Sequence, residues 1–354
     1  MLEQLVRVSD GFHDIRKQIA SKSYGEATLI HAAVQDVLTD INQSYGNDIN
    51  QSYGNELVVF QCLVGQRSRL EEQLETSVMC RWREMVTWSS SPSVLTVASG
   101  QDAHLELEQL SQALCNLHCL SAVVAKFSHQ VVTQFVNKLL SDPDAACDLD
   151  IKHNTSSVSL KVVAMTTPAR VGNEVVHAVR KLEMFTMMME VLYENLLNIH
   201  VTDKVSATAT KDDVSLASGP ALAMNSENDA GDGKSCGRSL MSMFGEECSS
   251  LCLEALINRC LSAAVPSQRS QLAQFSEVCT AVDHLQTKLV GFGFVSDCNT
   301  LLVDYVRNID VLFANKRCVE LMNNARELVM SDIHNVVEVI HQPGGLSLIP
   351  LLHA

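Results

Sequence analysis

Helix-breaking residues are scarce in this chain. There are 7 prolines and 16 glycines among 354 residues, and aromatic residues make up only 5%. An all-β sandwich needs turn residues every few positions and is enriched in aromatic side chains, so this composition argues against that fold class. Apolar residues nevertheless account for 46% of the chain, which is enough to build a substantial core.

The sequence also lacks a long apolar run. A membrane-spanning helix needs about 20 consecutive apolar residues, and the runs here are much shorter. The N-terminal residues include charges and no small-residue cleavage site, so they do not resemble a secretory signal. We therefore expect a cytoplasmic protein whose 12 cysteines are reduced and act as small apolar side chains.

Positive charge is in deficit. The chain has 26 Lys and Arg residues against 41 Asp and Glu residues, which gives a formal net charge of −15. A surface of that sign repels phosphate backbones and anionic lipid. We therefore expect no direct binding to nucleic acid.

The prolines lie between apolar-periodic runs rather than inside them, except for Pro350 near the C-terminus. Because a proline inside a helix costs about 3 kcal/mol, this placement predicts a succession of helices. The predicted helices cover about 2–20, 25–41, 57–88, 102–140, 173–199, 238–264, 268–290 and 298–340. The run over 102–140 has apolar or small residues at alternating steps of three and four, a heptad seam narrower than the face of a globular core helix.

The length of the last predicted helix bears on the overall shape. A helix over 298–340 would be about 60 Å long at about 1.5 Å per residue, which does not fit a compact sphere of this mass. The pattern therefore predicts an all-α protein built as an elongated rod of antiparallel long helices. A short alternating run at Val158, Leu160 and Val162 predicts either an isolated strand or one arm of a hairpin.

Composition divides the chain into segments. We predict an N-terminal helical bundle segment over 1–200, in which the tandem copies INQSYGND and INQSYGNE at 41–56 form a loop. Residues 202–236 have no apolar period and are rich in Ser, Thr, Ala, Gly and Asp, which predicts a flexible linker. A C-terminal helical segment follows over 237–341, and 342–354 is predicted to be an irregular tail.

Two patterns invite a chemical interpretation. The residues AGDGKS at 230–235 end like a phosphate-binding loop, but Asn228 stands where the first glycine is required and no strand precedes it. Cys115, His118 and Cys119 have the spacing of one helix face, and zinc would need further ligands elsewhere. A regulatory protein that binds nucleotide through Lys234 or zinc through Cys115 is the resulting alternative function. The better interpretation is a solvated linker and core-filling side chains.

Other notable residues also have plain structural interpretations. Cys248 and Cys252, and the Met run at Met184 and 187–189, are predicted to fill the core. Trp82 is predicted to be a core anchor and Trp88 a helix-end anchor. Ser91-Pro92 and Thr167-Pro168 are minimal proline-directed phosphorylation sites in predicted loops. No nucleophile–base arrangement is evident, so we expect no catalytic, cofactor-binding or metal site and no enzyme activity.

One stretch closely resembles a known family. Residues 301–339 read LLVDYVRNIDVLFANKRCVELMNNARELVMSDIHNVVEV and are similar to the zeste-white ten family of centromere and kinetochore proteins. The most specific parts are YVRNI at 305–309 and FANKRC at 313–318. Residues 251–275 are similar to the preceding helix pair of that family, and RWREMVTW at 81–88 to its Trp-containing helix end.

The resemblance is strongest over 251–339 and corresponds to the middle region of the family. It implies a non-enzymatic all-α rod of the multisubunit tethering class, without the N-terminal helices and C-terminal helical domain of the family. It also implies two roles and two locations. One role is at the mitotic kinetochore, in the Rod–Zwilch complex that recruits dynein–dynactin and checkpoint proteins. The other is at the ER membrane periphery in interphase, with ER tether subunits that capture Golgi-to-ER vesicles. A vesicle-tether subunit of exocyst or Golgi-tether type would have the same rod-like architecture. It is a nearer alternative to this function than the nucleotide- or zinc-binding protein described above.

Within the resembling stretch we predict a partner-contact segment, because irregular polar residues stand there among apolar ones. Its members are Tyr305, Arg307, Asn308, Phe313, Asn315 and Lys316. For the four polar members, the alternative is an ordinary solvated helix face.

Overall fold

The chain is mainly helical, as expected for the all-α class. The structure is a computed structural model, and it describes residues 2–51, 55–90, 93–141, 148–149, 152–154, 157–163, 174–202, 237–332, 338–342 and 345–349. The helices are α1 (Leu2–Ala20), α2 (Tyr24–Gln51), α3 (Asn55–Met85), α4 (Gln101–Asn116), α5 (Leu120–Val131), α6 (Asn137–Ser141), α7 (Glu174–Leu192), α8 (Leu240–Leu256), α9 (Ser262–Ala264), α10 (Phe275–Gly291), α11 (Leu301–Arg307) and α12 (Ile309–Asp332). Helices α5, α7 and α8 each continue into a π-helical turn, at Val132–Val136, Tyr193–Leu197 and Ile257–Leu261. The rod shape stays a prediction.

A small antiparallel sheet packs against the helices. Its strands are β1 (Val86–Ser90), β2 (Ser93–Ala98), β3 (Asp148–Leu149), β4 (Lys152–Asn154) and β5 (Ser157–Val163), in the order β1-β2-β5-β3 with β4 also paired to β5. Leu95 lies opposite both Trp88 and Leu160 in this register, and Leu95 and Leu160 are buried in the core. The strand predicted from Val158, Leu160 and Val162 is confirmed as β5. Two further pairs join β6 (His200–Val201) to β7 (Arg238–Ser239) and β8 (Glu338–Gln342) to β9 (Gly345–Ile349).

The main core joins the helical segments on either side of residues 203–236. Helix α5 packs on α8, and α7 packs on α10. Fully buried phenylalanines come from both segments: Phe135, Phe185, Phe244 and Phe275. A smaller second core holds α1, α2 and α3 together through side chains such as Phe12, Val34 and Leu70. The predicted linker lies outside the described residues except for Thr202, whose backbone N–H donates to Gln112 Oε1 at 3.0 Å.

The single helix predicted over 102–140 is wrong, because the chain turns between α4 and α5. His118 has a φ of 57°, in the left-handed region that an α-helix cannot pass through. The turn lets α4 pack on α2 and α3 while α5 packs on α8. The predicted seam is buried at most positions, but the buried face also includes residues beside the seam, such as Ala113, Val123 and Phe127. That width is typical of a globular core helix.

The helix predicted over 57–88 ends three residues early, at Met85. Residues Val86 to Ser90 form β1, because this β-branched and aromatic stretch pairs with β2 across a short connection. The prediction that Trp88 anchors a helix end is therefore wrong, because Trp88 lies in a strand. Its ring lies in β1 with centroid distances of 5.6 Å to Phe127 and 5.7 Å to Phe135. Trp82 is a buried core residue, as predicted.

The loop predicted over the tandem copies at 41–56 is also wrong. Helix α2 continues to Gln51 and α3 begins at Asn55, while 52–54 lie outside the described residues. A glycine inside a helix costs only about 1 kcal/mol relative to alanine, so the Asn- and Gly-containing sequence does not stop α2.

The helix predicted over 298–340 is divided and shorter than expected. Asn308 separates α11 from α12, and α12 ends at Asp332. The last residues of the predicted helix belong to β8, in which the β-branched Val339 and Ile340 favour a strand. The tail predicted to be irregular over 342–354 includes β9, which pairs with β8.

Gly245 on α8 lies where a side chain cannot fit. A Cβ at this position would stand 2.0 Å from the carbonyl oxygen of Phe294, which is a backbone atom. We expect Gly245→Ala to lower the free energy of unfolding by about 1–3 kcal/mol, measured by urea unfolding, because the backbone around Phe294 must move. Gly65→Ala is the matched control, since nothing lies within 4 Å of its Cβ position. Equal stability of the two variants would contradict this close packing.

His31 on α2 makes stability depend on pH. It is 5% exposed, and its Nε2 has no hydrogen-bond partner in the described part of the chain. Burial lowers its pKa, Glu71 opposes that shift and Arg67 adds to it. Because the folded pKa lies below the unfolded value of about 6.5, the unfolded state takes up the proton first, and stability falls as the pH drops through that value.

We expect the melting temperature to decrease between pH 7 and pH 5.5, and His31→Leu to reduce that decrease. The measurement is thermal unfolding by circular dichroism across this range. His13→Gln on the exposed side of α1 serves as the control. A pH dependence that is the same in His31→Leu and in the unmodified protein would contradict the prediction.

Candidate protein-interaction surface

Helix α11 is held firmly on the body of the protein. Leu302, Val303 and Val306 are buried, and the helix packs on α10. Gln286 Nε2 on α10 donates a 2.6 Å hydrogen bond to the carbonyl oxygen of Asn299, just before α11 begins. The segment that precedes α12 therefore has a defined position.

Asn308 forms the joint between α11 and α12. Its backbone N–H donates to the carbonyl oxygens of Asp304 and Tyr305, each at 3.3 Å, and its side-chain Nδ2 donates to that of Asp304 at 2.8 Å. Its own carbonyl oxygen accepts from the N–H groups of Val311 and Leu312 at 3.1 Å. Asn308 thus satisfies the end of one helix and the start of the next, which is a structural role.

The first turns of α12 lie against the body through Lys316. This half-buried side chain donates a hydrogen bond to the carbonyl oxygen of Val265, beyond α9. Its Nζ also lies 3.9 Å from Glu174 Oε2 at the start of α7. Lys316 therefore ties α12 to two other elements.

Glu320 adds a second attachment one turn later. Its Oε1 accepts from the Ser267 hydroxyl at 2.7 Å, and its Oε2 accepts from Arg317 Nη1 at 2.9 Å. The hydrogen bond from Ser267, and then that from Arg317, hold the pKa of the Glu320 carboxyl below its usual value. Lys316 and Glu320 therefore both attach the inner face of α12 to the body through polar contacts.

The outer face of α12 is apolar and exposed. We call the following exposed residues the α12 seam: Val311, Ala314, Cys318, Leu321, Ala325 and Leu328. They follow one another at steps of 3, 4, 3, 4 and 3, which is the a/d pattern of a helix that packs along another helix. Leu321 is 58% exposed and Leu328 63% exposed. All residues from 321 to 330 are exposed, so the apolar surface continues past the last body contact.

The chemistry of the α12 seam suits a helical ligand. Its small residues, Ala314, Cys318 and Ala325, let a second helix approach closely, and its leucines supply the knobs that fill holes in that helix. Met322 and Val329 beside the seam are also more than half exposed and widen the apolar patch. A contiguous exposed apolar patch on a folded protein marks an interaction surface.

The six predicted contact residues do not share one face. Tyr305 is half-buried against the core, and burial raises the pKa of its hydroxyl. Phe313 and Lys316 are half-buried on α12. Arg307, Asn308 and Asn315 are exposed. Whether these residues contact a partner stays a prediction.

The α12 seam was missed by sequence reasoning, although the signal was present. Steps of three and four run through FANKRCVELMNNAREL in the same way as in the run over 102–140. Polar residues such as Asn315, Lys316 and Glu320 lie between these positions. The pattern alone also does not say whether such a seam is buried in the chain or left exposed.

The other sequence candidates have structural positions. Cys248 and Cys252 are buried in α8, as predicted, and a hydrogen bond with Cys252 and burial raise the pKa of the Cys248 thiol. Of the Met run, Met184, Met188 and Met189 are buried, while Met187 is 42% exposed. The core interpretation of the Met run is therefore confirmed for three of its four members.

Metal and nucleotide motifs find no assembled site in the described residues. The turn at His118 takes Cys115 and Cys119 off a common helix, and no group of three or more His, Cys, Asp or Glu in the described ranges is arranged to hold a metal ion. The residues at 230–235, with Lys234, lie outside the described residues, as do Ser91 and Thr167. Among the described helices, none is long and apolar enough to cross a membrane.

These features define the class: a mainly α-helical protein in which a long outer helix carries an exposed apolar seam. Residues 87–329 match the family model described as the middle domain of the centromere/kinetochore protein zw10. Because that match covers more than half of the chain, the chain belongs to the zw10 family. The resemblance seen in the sequence is thereby confirmed, and the exocyst-type alternative loses its support.

Curated relatives agree with this assignment. A zw10 homologue of Rattus norvegicus, described as a centromere/kinetochore protein, is 23% identical over 96% of this chain and 41% of its own length. A homologue of Mus musculus with the same description is 26% identical over 73% of this chain and 32% of its own length. An Arabidopsis thaliana homologue is 30% identical over 22% of this chain. The chain thus spans about two fifths of the length of the first of these relatives.

Removing the charge of Lys316 tests the attachment of α12. Lys316→Met keeps the aliphatic stem and deletes the hydrogen bond to Val265. A hydrogen bond worth about 1 kcal/mol corresponds to a factor of about five in local opening, so we expect faster amide exchange over 309–320, measured by hydrogen exchange with mass spectrometry. Arg307→Met, at an exposed position of α11, is the control. Unchanged exchange over 309–320 would show that Lys316 does not hold the helix.

Proposed function

We propose that this chain is a non-enzymatic scaffold of the zw10 type that binds helical segments of its partners along the α12 seam. The observation that supports this most directly is the row of exposed residues at heptad spacing on the outer face of α12. The family assignment and the printed descriptions of the relatives supply the cellular setting.

The energetic argument rests on how α12 is attached. Its polar contacts through Lys316 and Glu320 lie in its first half, whereas the residues from 321 to 330 are exposed. Burying a leucine side chain contributes about 1.5–3 kcal/mol, so covering Leu321 and Leu328 alone gives a partner a favourable contact. The body of the protein sets the position of the helix, which lowers the entropic cost of presenting it.

A helical partner fits this surface better than an extended one. The outer face of a helix offers no free backbone groups for strand pairing, since its N–H and C=O groups are bonded within the helix. The seam contains both small and large residues, as in helices that interdigitate with a neighbour. The partners implied by the family are Rod and Zwilch homologues, a dynein–dynactin adaptor and ER tether subunits.

The kinetochore role is the better supported of the two roles that we propose. The matched family and the relatives carry centromere and kinetochore in their descriptions. In this role the chain acts within the Rod–Zwilch complex during mitosis. The second role, ER–Golgi retrograde vesicle tethering at the ER periphery, rests on the family resemblance alone and uses the chain in the cytoplasm, with membrane contact made through partners.

Substitution on α12 tests the proposal. Leu321→Gln in the seam combined with Met322→Gln beside it introduces two polar side chains into the exposed apolar patch, and we expect at least a tenfold loss of binding to one or more of the Rod, Zwilch and ER tether homologues. Both side chains are more than half exposed, so the melting temperature should change little. The measurement is pull-down with purified full-length partners, quantified by titration.

Asn324→Gln combined with Glu327→Gln changes the same helix away from the seam and is the matched control. Equal binding by the seam variant and the control variant, with every partner tested, would contradict a role for the α12 seam.

A further inference from the structure

A second surface, well separated from α12 in the sequence, has the features of a peptide-binding groove. It is an open groove of about 560 Å³ between the C-terminal part of α3, strand β1 and helix α5. That volume is in the range of sites that hold small ligands or a few side chains. Neither the α12 seam nor any predicted contact residue lines it.

The floor of the groove is apolar. Trp82, Val123 and Phe127 line it and are buried, and Met79 and Trp88 line it and are half-buried. Phe127 and Trp88 are also in edge-to-face contact, with ring centroids 5.6 Å apart, so this part of the floor is preformed. Such a floor accepts a large apolar side chain.

The groove runs along the free edge of β1. In the described sheet β1 occupies one end of the strand order and pairs with β2 alone. Val86, Thr87 and Trp88 all line the groove. Successive residues of a strand point to opposite faces of the sheet, so a groove that touches all three must reach the edge of the strand. There the backbone N–H and C=O groups that do not bond to β2 are available to another strand.

The groove carries a negative charge at one end, near Cys119, and positive charges toward the end at β1. Glu75 lines the groove near Cys119, whose thiol pKa is raised first by burial and then by a hydrogen bond with Glu75. Arg83 follows Glu75 by two helical turns, about 12 Å along α3, and lies just before β1. Lys126 lines the groove from α5, beside Phe127.

Arg83 and Lys126 are both exposed, and neither enters an ion pair within the part of the chain that the structure describes. In a chain with a net charge of −15, two such cations beside an apolar floor form a local basic site. The β1 end of the groove is therefore complementary to acidic groups.

We propose that this groove binds an extended acidic peptide segment of a partner protein, which adds as a strand to the free edge of β1. One large apolar side chain of the peptide occupies the floor over Phe127, and the carboxylates of the peptide's acidic residues face Arg83 and Lys126. Main-chain pairing with β1 supplies affinity, and the floor and the two cations supply specificity. This second docking mode is independent of the helix-binding role of α12.

The test uses two synthetic fluorescent peptides with the same Val-Leu-Val centre, flanked on both sides by pairs of acidic residues in one peptide and pairs of lysines in the other. We expect the acidic peptide to bind at least tenfold more tightly than the basic one, measured by fluorescence anisotropy. Arg83→Glu combined with Lys126→Glu should reverse that preference. Arg16→Glu combined with Lys17→Glu on α1 makes the same change in net charge at exposed positions outside the groove, and should leave the preference unchanged.

Two further readouts separate strand addition from loose ionic association. The acidic peptide should slow amide exchange over 86–90. N-methylation of alternate peptide amides should abolish binding when the methylated amides are those that pair with β1. Leu321→Gln with Met322→Gln should bind the peptide normally. The proposal is overturned if the α1 variant and the groove variant shift the preference equally, or if exchange over 86–90 does not change on binding.

Discussion

The structure depends on a continuous line of aromatic contacts through the main core. Trp88 contacts Phe127 with ring centroids 5.6 Å apart, Phe127 contacts Phe244 at 5.8 Å, and Phe244 contacts Phe294 at 5.5 Å. These rings belong in turn to β1, α5, α8 and the connection that follows α10. Phe294 can contact Phe244 because Gly245, next to Phe244, has no side chain and lets the backbone at Phe294 approach α8 closely. Packing of this density leaves little freedom for the elements to move relative to one another, so the same contacts determine where the β1 groove and the base of α12 lie.

The two candidate surfaces differ in how the core presents them. The β1 groove is part of the core boundary, and its floor residues Trp82 and Phe127 also stabilise the fold. Residues 321–330 of α12 contribute nothing comparable to stability, because they are exposed. A substitution on the floor would therefore disturb the fold as well as the proposed peptide contact, whereas one on the α12 seam would leave the fold intact. This difference makes α12 the cleaner place to examine partner recognition, and it explains why the rim cations rather than the floor residues are informative about the groove.

Sequence reasoning succeeded where the information is local. Proline placement and apolar periodicity identified the helical class and most helices, and the alternation at Val158, Leu160 and Val162 identified β5. It failed where distant segments decide the outcome. The turn at His118 exists because α4 and α5 pack on different neighbours, and β1 replaces the end of α3 because β2 pairs with it. The predicted contact residues were a mixture for the same reason: Lys316 reaches Val265 and Tyr305 enters the core, neither of which is visible from residues 301–339 alone.

By itself, the amino-acid sequence determined the helical class, the family and the heptad spacing on α12, since these depend on residue type and on separations of three or four positions along the chain. The tertiary structure alone decided which apolar faces are covered. The heptad seam of α4 and α5 is largely buried while the seam of α12 is exposed, although their spacings are alike. Burial is a property of what lies opposite a face, and the elements that meet there are separated by tens to hundreds of residues. The groove beside β1 likewise exists only because α3, α5 and a strand edge converge in space.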